Sequence, residues 1–235
     1  MQHGSHDQQS ADRRIIAGLT AFLTKHGKAM VVFLIVAGVG IVALFVALSI
    51  RNSRVETSLE AVEQLQSDYY DWQSLDSAGQ EDGYADLHAQ AEAISQSYPR
   101  LYAASRALLV DAEALFALER FDDAAQRYVE LADRFPKTYL APLGLMGAAV
   151  ASENSGNIDL ALDYLNRIVD NYADTSSDVP RALFSIGRIH ETQDNIVDAE
   201  RYYNQLIQDY PTSTWTDLAR TRIISLTAQG RIGGT

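Results

Sequence analysis

From Ala29 to Ile50 the chain runs through twenty-two residues without a charge, Ser49 alone being strongly polar, and Lys28 and Arg51 bracket the stretch. Such a run predicts a helix of roughly 33 Å, enough to cross a hydrocarbon core of about 30 Å with slight tilt. Fourteen of its residues are Val, Leu, Ile or Phe, each favouring insertion by roughly 0.3–0.6 kcal/mol near the helix centre. A cleaved secretory signal would have a shorter leader and an apolar core of about 7–15 residues. The expectation is therefore a retained membrane span, although Ala47-Leu48-Ser49 imitates a cleavage site. The sequence holds no cysteine, which excludes a lipoprotein attachment within it.

On either side the apolar spacing changes to the three-and-four pattern of one-sided helices. Ala11 to Thr24 predicts an interfacial helix capped by Ser10, with Ile15, Leu19, Phe22 and Leu23 on one side and Arg13 and Arg14 placed to meet lipid phosphates. Thr57 to Leu75 places Leu59, Val62, Leu65, Tyr69 and Trp72 together. Tyr84 to Ser97 does the same with Leu87, Ala91 and Ile94, and the polar stretch Ser74 to Gly83 is expected to be the loop between them. Thr214 to Gln229 predicts a closing helix with Leu218, Ile223 and Leu226 inward, followed by a frayed tail from Arg231. Alternating strand patterns are missing, so the fold class is all-α.

A repeat underlies the remainder. An aromatic followed by Pro or Ala recurs at Tyr98-Pro99, Phe135-Pro136, Tyr172-Ala173 and Tyr210-Pro211, at intervals of 37, 37 and 38. The stretches Phe121 to Tyr128, Ile158 to Leu165 and Ile196 to Tyr203 keep step with it. A fixed period in this range marks a solenoid, whose units cannot bury their apolar faces alone and stack to do so. Turns are expected at Glu119-Arg120, Ser155-Gly156-Asn157 and Asp194-Asn195.

At these residues the chain resembles the tetratricopeptide repeat family, whose unit is two antiparallel helices with small residues where they touch and a terminal proline. The third unit carries the pattern in Leu183, Ile186, Gly187, Ala199, Tyr203, Leu206 and Pro211, with His190 in place of the usual Tyr. The second carries it in Leu145, Ala149, Ala161, Leu165 and Ile168, with Ala173 replacing proline. The first has Leu108, Ala112, Leu115, Ala124, Tyr128, Leu131 and Pro136, but Asp111 stands where an apolar residue belongs. Gly187, Ala149 and Ala112 are expected to admit the second helix closely, and bulk there would push the pair apart.

The resemblance implies a binding groove along the first helix of each unit. Carried onto this chain, the groove positions are Arg106, Leu109, Glu113, Phe116 and Ala117, then Leu143, Met146, Val150, Glu153 and Asn154, then Arg181, Phe184, Arg188, Glu191 and Thr192. The mixture suits an extended peptide or a partner's helix. Leu109, Val150 and Phe184 equally fit ordinary core. In the span, Gly40, Ala43 and Ala47 share one side, a stripe of small residues open to a helix partner in the bilayer.

Charge sets the orientation. Arg13, Arg14, Lys25 and Lys28 precede the span, and Arg51 and Arg54 follow it. That bias favours a cytoplasmic N-terminus with the repeats on the far side of the membrane, and the expected location is a bacterial inner membrane with the repeats in the periplasm. Residues 55–235 carry 13 Arg or Lys against 29 Asp or Glu, a balance of −16, and residues 1–54 carry +4. An acidic domain of this kind does not seek nucleic acid. The resulting organisation is a tail (1–28), a span (29–50), connecting helices with a degenerate repeat (51–98), three repeats (99–211) and a capping helix (212–235). The segment Phe22 to Lys28 and the layout are similar to the YfgM-like ancillary subunits of the Sec translocon.

Catalytic chemistry is absent from the pattern. The five His, at 3, 6, 26, 88 and 190, form no His-x-x-x-His pair, and there is no glycine-rich phosphate loop. Met1-Gln2-His3 has the form of an amino-terminal metal chelate but reads as incidental. Asp122-Asp123 suits a helix start, where the dipole favours negative charge, and His190 suits a packed position. No enzyme, metal or cofactor is expected. The expected function is a membrane-anchored protein-interaction module, an accessory or chaperone adaptor near the Sec translocon; the alternative is an envelope scaffold for cell-wall or outer-membrane assembly.

Overall fold

The computed structural model describes the backbone of residues 5–233 and, before Met30, the side chains of Ala17, Thr20, Thr24 and Lys28. The expected lipid-facing side chains Arg13, Arg14, Ile15, Leu19, Phe22 and Leu23, and the possible chelate at Met1 to His3, lie outside the described residues. Among the described residues the chain is helical, without strands: α1 (Ser5–Gln73), α2 (Ser77–Ser97), α3 (Tyr102–Ala117), α4 (Phe121–Arg134), α5 (Leu140–Asn154), α6 (Ile158–Tyr172), α7 (Val179–Thr192), α8 (Ile196–Asp209) and α9 (Thr214–Ala228). The chain divides into two compact units, Met1–Glu56 and Thr57–Thr235.

In the first unit α1 is already helical at Ser5, so Ser10 lies inside the helix and does not cap one. Its run from Met30 is long and apolar enough to cross a membrane, with a mean hydropathy of 3.1 and none of it buried against protein. Phe33, Ile41 and Phe45 point outward, and a Cβ added at Gly40 would meet nothing within 4 Å.

The second unit is a stack of hairpins in which α2 to α9 each pack on their sequence neighbours, with further contacts from α3 to α5 and α7 to α9. Val62, Leu65, Tyr69 and Trp72 of α1 share a core with Leu87, Ala91 and Ile94 of α2 and with Ala103, Ala107, Val110 and Ala114 of α3. The opposite side of α3, through Leu108, Ala112 and Leu115, joins α4 and α5. A larger cluster continues from α5 to α9. Helices α3 and α5 are thus covered on two sides and apolar nearly all round, whereas α4, α6 and α8 bury one stripe through Ala124 and Leu131, Ala161 and Leu165, and Ala199 and Leu206.

The turns after α3, α5 and α7 close in the same way. Glu119, Gly156 and Asp194 adopt left-handed φ of 57°, 83° and 63°, and Gly230 ends α9 with φ of 70°. The following amide then reaches back five residues: Arg120 to Leu115, Asn157 to Ser152, Asn195 to His190 and Arg231 to Leu226, at 2.8–2.9 Å. These bonds satisfy carbonyls that the helix end would otherwise leave open. Between hairpins, α4 and α8 stop at Phe135 and Tyr210, before Pro136 and Pro211. Where Ala173 replaces the proline its backbone stays helical, at φ −49° and ψ −43°.

Three further expectations need correction. The loop between α1 and α2 is short, because Asp76 caps α2 by accepting the Gly79 amide at 2.9 Å and the Trp72 indole donates to the Gln80 carbonyl at 2.8 Å. Leu59 and Leu218, expected inward, are 41% and 48% exposed, and Thr216 and Ala219 take the inward positions of α9. The tail is tied down as far as Ile232, which packs into the core beyond the Arg231–Asp194 ion pair.

Candidate protein-binding groove

The first helices α3, α5 and α7 present one face in succession, and on it lies a depression of about 210 Å³ lined by Leu109, Glu113, Phe116, Tyr128, Leu143, Met146, Gly147, Val150 and Arg181. Seven of these are positions expected to form the groove. Leu109 and Met146 form its floor, at 2% and 3% exposure, and so are core residues as much as lining. Leu143 is exposed, while Phe116 and Val150 are half-buried.

Other expected positions sit outside the depression. Arg106 donates to Gln66. Glu153 and Arg188 neutralise each other at 2.6 Å, and the Asn154 amide turns back to the Val150 carbonyl at 2.8 Å. Glu191 pairs with Arg222 and accepts the Tyr203 hydroxyl at 2.9 Å. Phe184 packs between Tyr203 and Trp215, with ring centroids 5.6 and 5.4 Å away. Ala117 and Thr192 are exposed. On α1, Gly40, Ala43 and Ala47 are exposed, like the neighbouring residues of the span.

Tyr128 and Gly147 were not foreseen as groove residues. A Cβ at Gly147 would stand 2.7 Å from the Tyr128 ring, and one at Gly144 would stand 2.8 Å from the Tyr128 carbonyl. The available signal was two glycines three apart inside a helix, a choice costing about 1 kcal/mol each unless close packing requires it.

The electrostatics of the depression centre on Glu113. Burial raises the Glu113 carboxyl above its usual range, and Arg106 opposes that only in part. The Tyr128 and Tyr69 hydroxyls are raised as well, first by burial and then by the Glu113 charge.

A second cavity, of about 370 Å³, lies beside Tyr84, His88, Arg120 and Arg127. Behind it Asp111, with a side chain 3% exposed, is held by Tyr84 Oη at 3.0 Å, His88 Nδ1 at 2.9 Å and Arg127 Nε at 2.9 Å. Both carboxylate oxygens are occupied, so the cluster ties α2 and α4 to α3 and presents no free base. The residue out of family pattern is accounted for: it is a buried ion pair with a full set of partners. Asp123 pairs with Arg120 at 2.8 Å in the first turn of α4, and His190 stacks on Tyr202 at 5.6 Å. No group of acidic or imidazole side chains among the described residues could hold a metal ion.

Comparison with known proteins fits this geometry. Tetratricopeptide repeat family models match residues 109–176 and 181–213. A TPR repeat-containing protein of Treponema pallidum is similar, 29% identical over 129 residues that cover 55% of this chain and 52% of that protein. This chain therefore spans about half the length of the curated relative it matches. A crystal structure of a tetratricopeptide repeat protein from Parabacteroides merdae shares the fold, with a TM-score of 0.50 and 15% identity over 68% of this chain and 58% of that one. Nothing in these similarities points to catalysis. The helical hairpins at residues 109–176 and 181–213 match tetratricopeptide repeats, a kind of unit that generally binds proteins.

Proposed function

We propose that the chain is a membrane-anchored adaptor: residues 29–50 cross a bacterial inner membrane, the segment before them is cytoplasmic, and the repeats bind proteins in the periplasm beside the Sec translocon. The observation that carries the binding role is the depression built by α3 and α5 and walled by Arg181 of α7. Support for the anchor comes from the unburied apolar run beginning at Met30, since outward-facing Phe and Ile are stable in lipid and costly in water. The Lys and Arg excess before the span supports the orientation. The translocon assignment rests on the resemblance at Phe22 to Lys28 and on the layout.

Two measurements test this. A topology reporter fused after Thr235 is expected to be active in the periplasm; activity confined to the cytoplasm reverses the orientation. Photo-crosslinking from Ala43, with co-purification in mild detergent, is expected to capture translocon subunits. Consistent recovery of wall synthases or outer-membrane assembly factors instead favours an envelope scaffold.

A further inference from the structure

We propose that the groove selects an extended segment of a partner protein carrying one basic side chain between apolar neighbours, with the Lys or Arg head group on Glu113 and the neighbours against Phe116, Leu143 and Val150. This deepens the protein-binding reading and rests on it.

The carboxylates nearby show why Glu113 stands apart. Glu153 is neutralised by Arg188, Glu191 by Arg222, and Asp111 by Arg127 and His88. Glu113 has no ion pair or hydrogen bond among the described residues, and Arg106, whose charge acts on it, donates to Gln66. A half-buried carboxylate without a partner is a costly arrangement, offset when a cation arrives with its own apolar stem. Lys and Arg bring that stem, and the lining around Glu113 is suited to it: Leu109 and Met146 beneath, Phe116 and Val150 beside. Burial also raises the Glu113 carboxyl, as expected of a site waiting for a counter-charge.

A cation in the same lining limits the choice to a single basic residue. Arg181, 6.0 Å from the Trp215 ring centroid, has no carboxylate partner among the described residues and would repel a second cation. A polybasic segment is therefore disfavoured, although the balance of −16 over residues 55–235 attracts cationic chains at long range.

The test uses the full chain in nanodiscs and fluorescent peptides of Ala, Leu and Ser with Lys, Gln or Glu at the centre, or with several Lys, read by anisotropy. The single-Lys peptide is expected to bind about tenfold more tightly than the Gln peptide, the strength of one charge-assisted hydrogen bond. The Glu and poly-Lys peptides are expected to bind more weakly than the single-Lys peptide. Glu113→Gln, nearly isosteric, should erase the Lys preference without lowering the thermal melt, and Leu143→Glu should weaken all the peptides. Equal binding of Lys and Gln peptides by the natural chain overturns the basic preference and leaves the groove as a protein site. Lys-peptide binding unchanged by either substitution places the contact elsewhere and overturns the inference. Binding of no peptide overturns the inference and the reading of the groove as a peptide site together.

Discussion

The ring of Tyr203 lies so close over Gly187 that a methyl group on that glycine would stand 2.6 Å from Cε1 and 2.8 Å from Cδ1. Tyr203 is fully buried, and its hydroxyl is fixed to Glu191, so the ring cannot retreat. Gly187→Ala is expected to force α7 and α8 apart and to cost about 1–3 kcal/mol, although alanine is the better helix former. Thermal or urea unfolding measures this; an unchanged or raised midpoint would show that the hairpin tolerates the added carbon.

Asp111 makes the corresponding tie in the first repeat. Its removal leaves Arg127 without its buried partner and strands the Tyr84 hydroxyl and His88. Asp111→Ala is expected to cost about 3 kcal/mol, at the low end for a buried pair because Arg127 keeps Glu130. Asp111→Leu combined with Arg127→Met is expected to recover part of the loss, since apolar packing replaces ion pairing without an orphaned charge. A double variant less stable than Asp111→Ala alone would contradict this account.

Glu119 occupies with a side chain the left-handed position that Gly156 fills in the next hairpin. Glu119→Gly removes the clash of its Cβ with the backbone and is expected to stabilise the unit by about 0.5–1 kcal/mol after the extra freedom of the unfolded glycine is counted. The midpoint of urea unfolding should rise. A fall would show that the Glu119 side chain contributes more than its backbone strain removes.

Acid sensitivity is expected at Glu191. Burial pushes its carboxyl up, but hydrogen bonds and charge from Arg222 and the hydrogen bond from Tyr203 outweigh this and hold it below its ordinary 4.5. The unfolded chain therefore binds the proton first. The stabilisation is complete above about 4.5 and is lost as pH falls through the lower folded value. Arg222→Ala should flatten the decline of stability with acid; an identical acid slope in the variant would assign the decline to other carboxylates.

The helical hairpins were legible because their causes are local: the Tyr-Pro and Phe-Pro stops, the alanines at 124, 161 and 199, and the polar turns. The groove was legible in part, since Leu109, Glu113, Phe116, Leu143, Met146, Val150 and Arg181 fall at positions fixed by the repeat. Partner choice was not legible. Periodicity places Glu153 and Arg188 on the face but says nothing of their pairing across α5 and α7, which removes both from use. Leu59 and Leu218 escaped because helix phase alone cannot tell where a stack ends and a surface begins. The extent of α2 was hidden by its polar first turns, held by the Asp76 cap and the Trp72 indole. Asp111 seemed to break the repeat, because a pattern of apolar positions carries no record of the Tyr, His and Arg that converge on one oxygen-bearing side chain.

The lateral bonds of the stack repeat at about one unit's separation: Asn157 to Asp122, Arg167 to Asp133, Tyr210 to the Ala173 carbonyl and Arg231 to Asp194. Duplication or deletion of one whole hairpin would leave such bonds replaceable by the next copy in line. Evolution can thus lengthen or shorten this receptor surface in steps of a single gene segment, and engineers can splice it in the same increments.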